Sequence, residues 1–395
     1  MRVLVPQLKD SVIDTMTERV KALVDELNAA SPNTKLEMAK VAVASVDYAD
    51  AVATENARKD AAPDLVIANM GDVPALVDQG LIVPLDRYVK DDRDVKLDDY
   101  FPAVVAANRY KGQLYALPFI CSPLVLYYNP RLFASAGLKP PSPTWTWQEF
   151  VQTARSLTRA GASGGAGEQF GFIQAPGVPP VETYIWQNKG DVIDADGRVI
   201  LDQPAAVEAI KYMADLTLTE RISPQLSNLS SNAIGDLVLK DKVAMFMYYL
   251  SIGIFWRGDQ GMNFELAEVP QGKARATSLT ETAFAIGAKS KSPDAAYRAL
   301  RSLVGAAEKT ALVPPRRSLV RDLRKIEPRL SEQDIRVIIN SLDYARGPVY
   351  PNHQRVVAAL RSLVETPALV GALSPQAAAT SGATAVYTLT QQKEQ

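Results

Sequence analysis

The stretch Tyr110–Phe150, YKGQLYALPFICSPLVLYYNPRLFASAGLKPPSPTWTWQEF, joins a short glycine-punctuated hairpin to an apolar segment and then to a fresh helix start. Apolar positions recur at Leu114, Ala116, Leu117 and Phe119, and again through Leu124–Tyr128 before Asn129-Pro130 turns the chain. Pro118 and Pro123 lack the N–H that a ladder needs, so the spacing predicts a strand interrupted there and resumed at Leu124. Two prolines around Cys121-Ser122 favour a strand that changes sheet, which makes the stretch a bridge between two lobes.

Upstream, Val12, Met16, Val20, Leu23, Val24 and Leu27 form a 3.6-residue stripe, with Ser11 and Asp14 spaced as a capping box and Ser31-Pro32 as terminator. Leu36–Val43 reads as a strand, Tyr48–Ala61 as a second helix, and Asp64–Ala68 as a buried strand ending at Asn69-Met70-Gly71. The order β-α-β-α-β predicts a parallel sheet covered by helices. A helix over Val73–Gln79 stops at Gly80. Downstream, Asp196-Gly197 centres a hairpin, Pro204–Thr217 is a helix, Val243–Tyr249 is an apolar strand, and Phe284–Ile286 is a short one. The Gly-Ala-Ser-Gly-Gly-Ala-Gly run near Arg159–Gln169 follows a helix and lacks a Lys-Ser/Thr pair, so it reads as a connection rather than a phosphate cradle.

The 43 Lys and Arg residues against 44 Asp and Glu leave a formal net charge of −1, which gives no electrostatic footprint for nucleic acid or an anionic membrane. One cysteine excludes an internal disulfide and a cysteine-based metal cluster, and one histidine argues against zinc or iron chemistry. No cofactor and no metal are expected. No apolar run approaches a membrane span, and the chain opens on strand-like Arg2–Val5, so an exported protein would be read here in mature or trimmed form.

The quoted stretch resembles the crossover of the family 1 extracellular solute-binding proteins, the ABC-importer receptors of the maltodextrin-binding type. The resemblance rests on Leu114–Pro118, Tyr127–Pro130 with Leu132–Leu138, and Thr144–Phe150. It continues in Ala62–Val66, Leu76–Leu85, Ile185–Asp191, Lys242–Met245 and Pro314–Ser318, in family order. The resemblance implies an α/β fold of the two-lobe periplasmic-binding-protein type (class II), each lobe a mainly parallel sheet flanked by helices around a hinged cleft. By the same resemblance one lobe spans 1–119 plus 264–312 and the other 120–263 plus 313–395. It further implies a non-enzymatic, monomeric receptor, periplasmic or extracellular, with a lipid anchor as one mode of retention. Its partners would be a sugar or polyol ligand and the transmembrane subunits of an ABC permease. Two alternatives stay open: a glycerol phosphate or glycerophosphodiester receptor, and a glycosidase using paired carboxylates.

Ligands of open α/β sheets bind beyond the carboxyl ends of strands, which directs attention to loops there. The resemblance places Lys9 and Asp10 after the first strand, Asn69, Met70 and Asp72 after the third, and Ser122 in the crossover. Asp10 and Asp72 are equally suited to capping the helices that follow. Tyr248 and Tyr249 end a strand, and alternation sends one inward and one outward. Trp186 offers a face for stacking or for the core, while Trp145 and Trp147 flank a helix start as packing residues. Glu281 stands where relatives carry glycine and would suit a polyhydroxyl or cationic ligand. Arg316 offers a guanidinium fork to a ligand or to a structural carboxylate, and His353 lies in a loop that relatives return to the cleft. The aromatic common after this strand in relatives is displaced to Trp256, which weighs against a long oligosaccharide.

Overall fold

A computed structural model of the chain describes residues 1–8, 15–30, 35–43, 47–58, 61–159, 169–225, 231–250, 263–311, 313–347 and 350–391. The predicted loop residues Lys9 and Asp10, the Ser11/Asp14 cap, the glycine-rich run and Trp256 lie outside them. The chain divides into two compact units, one of Met1–Cys121, Thr280–Pro328 and Gly347–Arg355, the other of Ser122–Leu279, Arg329–Arg346 and Val356–Gln395. The described strands are β1 Arg2–Leu8, β2 Glu37–Val43, β3 Leu65–Asn69, β4 Arg109–Tyr110, β5 Gln113–Leu114, β6 Ala116–Tyr128, β7 Met245–Tyr249, β8 Glu265–Ala267, β9 Thr277–Ile286 and β10 Ala345–Arg346.

In the first unit the sheet runs β2-β1-β3-β9. β1 pairs in parallel with β2 and β3, as the β-α-β-α-β reading predicts, and helices Thr15–Ala30 and Tyr48–Ala57 make the crossovers. Alternation divides the strands between two apolar clusters. Val3, Val5, Leu65, Ile67, Phe284 and Ile286 face Val20, Leu23 and Val24 of the first helix and Leu300, Leu303 and Val304 of helix Pro293–Thr310. Leu4, Val66, Ala68, Ala283 and Ala285 face Tyr48 and Val52 instead. Both sheet faces are therefore buried, which is why Leu65–Ala68 is apolar at every position rather than at every second one.

β3 and β9 are antiparallel, with Asn69 opposite Thr282, so the sheet is mixed rather than mainly parallel. Strand β9 begins at Thr277, well before the predicted Phe284. Its leading half, Thr277–Thr282, alternates hydroxyls with Leu279 and Glu281, and that polar spacing hides a strand whose residues are nearly all buried.

In the second unit, residues of β6 beyond Pro123 pair antiparallel with β7, Leu124 opposite Tyr249, and with β8, Leu126 opposite Ala267. β10 pairs in parallel with the start of β9, Ala345 opposite Thr277. β6 is one continuous buried strand through Pro118 and Pro123, where an interruption was predicted. Proline costs a strand only where its missing N–H would have met an acceptor, and the β7 and β8 ladders begin past both prolines. The helix Trp147–Leu157 carries a capping box from Thr146 and Glu149. Trp147 stacks on Tyr212 at 3.8 Å between ring centroids, and Trp145 Nε1 donates to the Glu268 carbonyl at 3.1 Å, so both tryptophans pack as expected.

Candidate functional site

In the first unit, the segment after β3 folds back on itself before helix Asp72–Asp78 starts. Asn69 N donates to Asp72 Oδ2 at 2.8 Å, so Asp72 closes the turn from inside the helix instead of capping it from the preceding residue. Met70 N donates to the Glu281 carbonyl at 3.0 Å, and Thr282 Oγ1 donates to Asn69 Oδ1 at 3.3 Å, which ties the turn to β9. Gln354 Nε2 donates to the Met70 carbonyl at 3.1 Å and to Asp72 Oδ1 at 3.4 Å.

Gly71 sits at φ +84°, and a Cβ there would lie 1.9 Å from Cδ2 of His353. Only glycine permits both the left-handed turn and the imidazole's close approach. The predicted Asn69, Met70, Asp72, Glu281 and His353 are thus brought together from three separate stretches of chain. Asn108, Gln354 and Tyr48 join them, and none of these was singled out in the sequence.

The cluster is buried and short of partners. Burial is the largest influence on Glu281, pushing its carboxyl up to about 8; Asn108 opposes this and the Asp72 charge adds to it. Burial likewise raises Asp72 to about 7 against the bonds from Asn69 and Gln354, and lowers His353 to about 4. Asn108 is near enough to influence Glu281, yet neither Glu281 oxygen makes a hydrogen bond of good geometry. Asn108 Nδ2 donates to the Val104 carbonyl at 2.9 Å, while its Oδ1, the Tyr48 hydroxyl and His353 Nδ1 have no partner. Buried polar atoms are rarely left bare, and a group of them marks a place where something else is meant to bond.

In the second unit, Tyr248 and Tyr249 end β7 with their ring centroids 6.5 Å apart at 78°. Both are half-buried. Burial raises the Tyr249 phenol, the Glu182 charge adds to the rise, and Ser278 opposes it. Burial also raises Tyr248, with Arg361 acting against it. Glu365 accepts Val181 N at 2.8 Å and also Gly177 N, holding the start of helix Val181–Gln187 from a π-helical turn, Leu360–Glu365. Burial first, then Glu182, pushes Glu365 up to about 8.

Trp186 is packed: its Nε1 donates to Asp191 Oδ1 at 3.0 Å and the Arg346 guanidinium lies 4.8 Å from the ring centroid. Ser122 is buried within β6.

Arg316 belongs to the first unit but not to the Glu281 cluster's bonds. Its Nε and Nη2 grip Glu308 at 2.9 and 2.7 Å, Tyr100 Oη donates to the same carboxylate at 2.8 Å, and the guanidinium lies 5.2 Å from the Tyr100 centroid. This is the structural ion pair weighed in the sequence. It walls a pocket of about 800 Å³ in which Arg93, Lys96 and Lys309 mix with Glu26, Asp94 and Asp99, so the surface has no single sign.

In open α/β sheets ligands bind beyond the carboxyl ends of strands, and the polar cluster lies at the end of β3. A profile of the bacterial extracellular solute-binding proteins matches residues 13–310, and the chain belongs to that family. Among curated relatives, it is 26% identical over 207 residues to the sn-glycerol-3-phosphate-binding periplasmic protein UgpB of Yersinia pestis, a match covering 50% of this chain and 46% of the relative. The chain spans about half the length of the curated relatives it matches. Among solved structures, an ABC substrate-binding protein of Listeria monocytogenes in complex with cycloalternan superposes with TM-score 0.79 at 19% identity, over 98% of each chain. An ABC transporter solute-binding protein of Thermotoga lettingae bound with alpha-D-tagatose gives TM-score 0.76 at 18% identity, again over 98% of each. These likenesses bear out the α/β binding-protein fold. No helix among the described residues is long and apolar enough to cross a membrane.

Proposed function

We propose that this chain is the ligand-capturing receptor of an ABC importer, taking up a carbohydrate or polyol and passing it unchanged to the permease's transmembrane subunits. In this reading it works as a monomer in the periplasm or extracellular space, and its two compact units are the receptor's lobes. The observation that supports it most is the convergence of Asn69, Met70, Asp72, Glu281 and His353 beyond the end of β3, with oxygen acceptors left bare. Hydroxyl groups donate to such acceptors while exacting no net charge. Tyr248, Tyr249 and Glu182 are the corresponding candidates in the second unit.

The glycerol phosphate reading has the Yersinia relative in its favour. Against it, His353 is held neutral and Arg316 is taken up by Glu308. A glycosidase needs one carboxylate ionised while its partner keeps a proton, and burial pushes Asp72 and Glu281 upward together.

A thermal-shift screen over neutral sugars, polyols, amino sugars and glycerol phosphates tests the proposal. A member present at 100 times its dissociation constant is expected to add about 2.7 kcal/mol of stability. Mass spectrometry after long incubation should return it intact. Stabilisation by glycerol phosphates alone, or hydrolysis lost in Glu281→Gln, would replace the carbohydrate-receptor reading with one of the other two.

A further inference from the structure

The cluster around Glu281 has a chemical bias that a general sugar site does not need. Its unpartnered atoms include three oxygens that accept, Glu281 Oε1 and Oε2 and Asn108 Oδ1, all on residues at most 4% exposed. Two carboxyls, Glu281 and Asp72, are buried close enough to feel one another, and neither pairs with a described lysine or arginine. Among the described residues, the groups facing them from neighbouring elements are the Cys121 thiol of β6, the Tyr48 phenol and His353. Burial and the Glu281 charge raise Cys121, burial and the Asp72 charge raise Tyr48, and burial keeps His353 neutral. Every one of these is acidic or neutral. Among the described residues none supplies a counter-charge to either carboxyl, and a cationic ligand would supply one.

We propose that the first-unit site selects an aminated sugar or polyol, whose ammonium group bonds to Glu281 and Asn108 and pairs with the Glu281 carboxylate. An ammonium presents three N–H donors and the cluster offers three bare oxygens. A hydroxyl in the same place brings one donor and no charge, so it leaves oxygens unsatisfied and the carboxyl neutral. Binding is then coupled to proton release. The ligand enters as an ammonium ion, the Glu281 carboxyl gives its proton to buffer, and the ion pair forms with no further change of bonds. The inference rests on the carbohydrate-receptor reading and narrows its ligand class.

Calorimetry on the intact chain with matched pairs tests it: D-glucose with D-glucosamine, D-galactose with D-galactosamine, and D-sorbitol with D-glucamine. Titrations run at about pH 6, where the amines are ammonium ions and Glu281 is protonated. At least one amine is expected to bind tenfold or more tighter than its hydroxyl partner. Heats measured in buffers of different ionisation enthalpy should show release of about one proton per ligand bound. Glu281→Gln, which keeps the shape and removes the titrating group, should abolish both the preference and the release.

Equal or tighter binding of the neutral partners overturns the inference while leaving the receptor reading intact, and so does an amine preference that survives in Glu281→Gln. Binding by no sugar or polyol of either kind overturns both. The parent's affinity ratio and proton count need no variant, so the result does not depend on how Glu281→Gln folds.

Discussion

Stability to urea is expected to fall as pH rises from about 5 to 8.5, the reverse of what paired surface carboxylates produce. Glu281 and Glu365 are raised from 4.5 to about 8, and Asp72 from 3.8 to about 7, in each case first by burial. An acid whose folded-state value lies above its unfolded one keeps its proton in the native state and loses it on unfolding at intermediate pH. Its contribution is therefore complete below the unfolded value and disappears as pH climbs through the folded one. One pKa unit corresponds to about 1.4 kcal/mol, and relaxation around a buried charge trims the ideal figure, so each glutamate should account for about 2–4 kcal/mol over that window. Asp72 and Glu281 titrate as a pair, so their joint midpoint belongs to neither alone. Urea melts of the parent, Glu281→Gln and Glu365→Gln across this range check the expectation: each substitution should flatten the curve and leave its acidic end nearly unchanged. A parent that gains stability between pH 5 and 8 would show both glutamates ionised in the native protein.

Arg316→Ala should destabilise the first unit by about 2–4 kcal/mol while leaving ligand affinity within about twofold. Removing one partner of a buried ion pair generally costs about 3–5 kcal/mol, because the remaining charge is stranded. The Glu308 side chain is only 3% exposed, and burial already raises its carboxyl despite the guanidinium. The Arg316 side chain is 20% exposed, which lowers the figure somewhat through solvent screening. The double variant Arg316→Met with Glu308→Gln should recover much of the loss, since it leaves no bare charge. Denaturation midpoints separate these outcomes, and calorimetry on Arg316→Ala with the best panel ligand separates a structural from a ligand-binding role.

Much of the first unit could be read from sequence because its signals are local. The stripe through Val20, Leu23 and Val24 and the apolar run Leu65–Ala68 each declare their element within a few residues. The end of that run pointed to Asn69, Met70 and Asp72, and the structure makes Asn69 the last residue of the strand, Met70 the turn and Asp72 the first residue of the next helix. Glu281 stood out as a carboxylate where relatives carry glycine, ahead of the predicted strand, and the structure puts it inside β9.

What could not be read is contact at a distance. Gln354 reaches Asp72 across 282 positions, and Glu365 reaches Val181 across 184; nothing in a single sequence pairs such residues. The two prolines of β6 misled for a different reason. A proline penalty depends on whether an acceptor waits on that side of the strand, and only the neighbouring strands decide that. Arg316 showed the limit of side-chain chemistry alone, since the fork that suits a ligand suits Glu308 equally well.

Hydrogen exchange followed by mass spectrometry, with and without the strongest binder from the sugar and polyol screen, tests the site most directly. Slower exchange is expected in peptides covering 69–78, 281–286 and 350–359, with little change over helix Pro293–Thr310 and around Arg316–Arg321. Protection confined to the Arg316 side of the unit, with the Asn69–Asp72 turn exchanging as in the free protein, would contradict the placement of the ligand at Glu281.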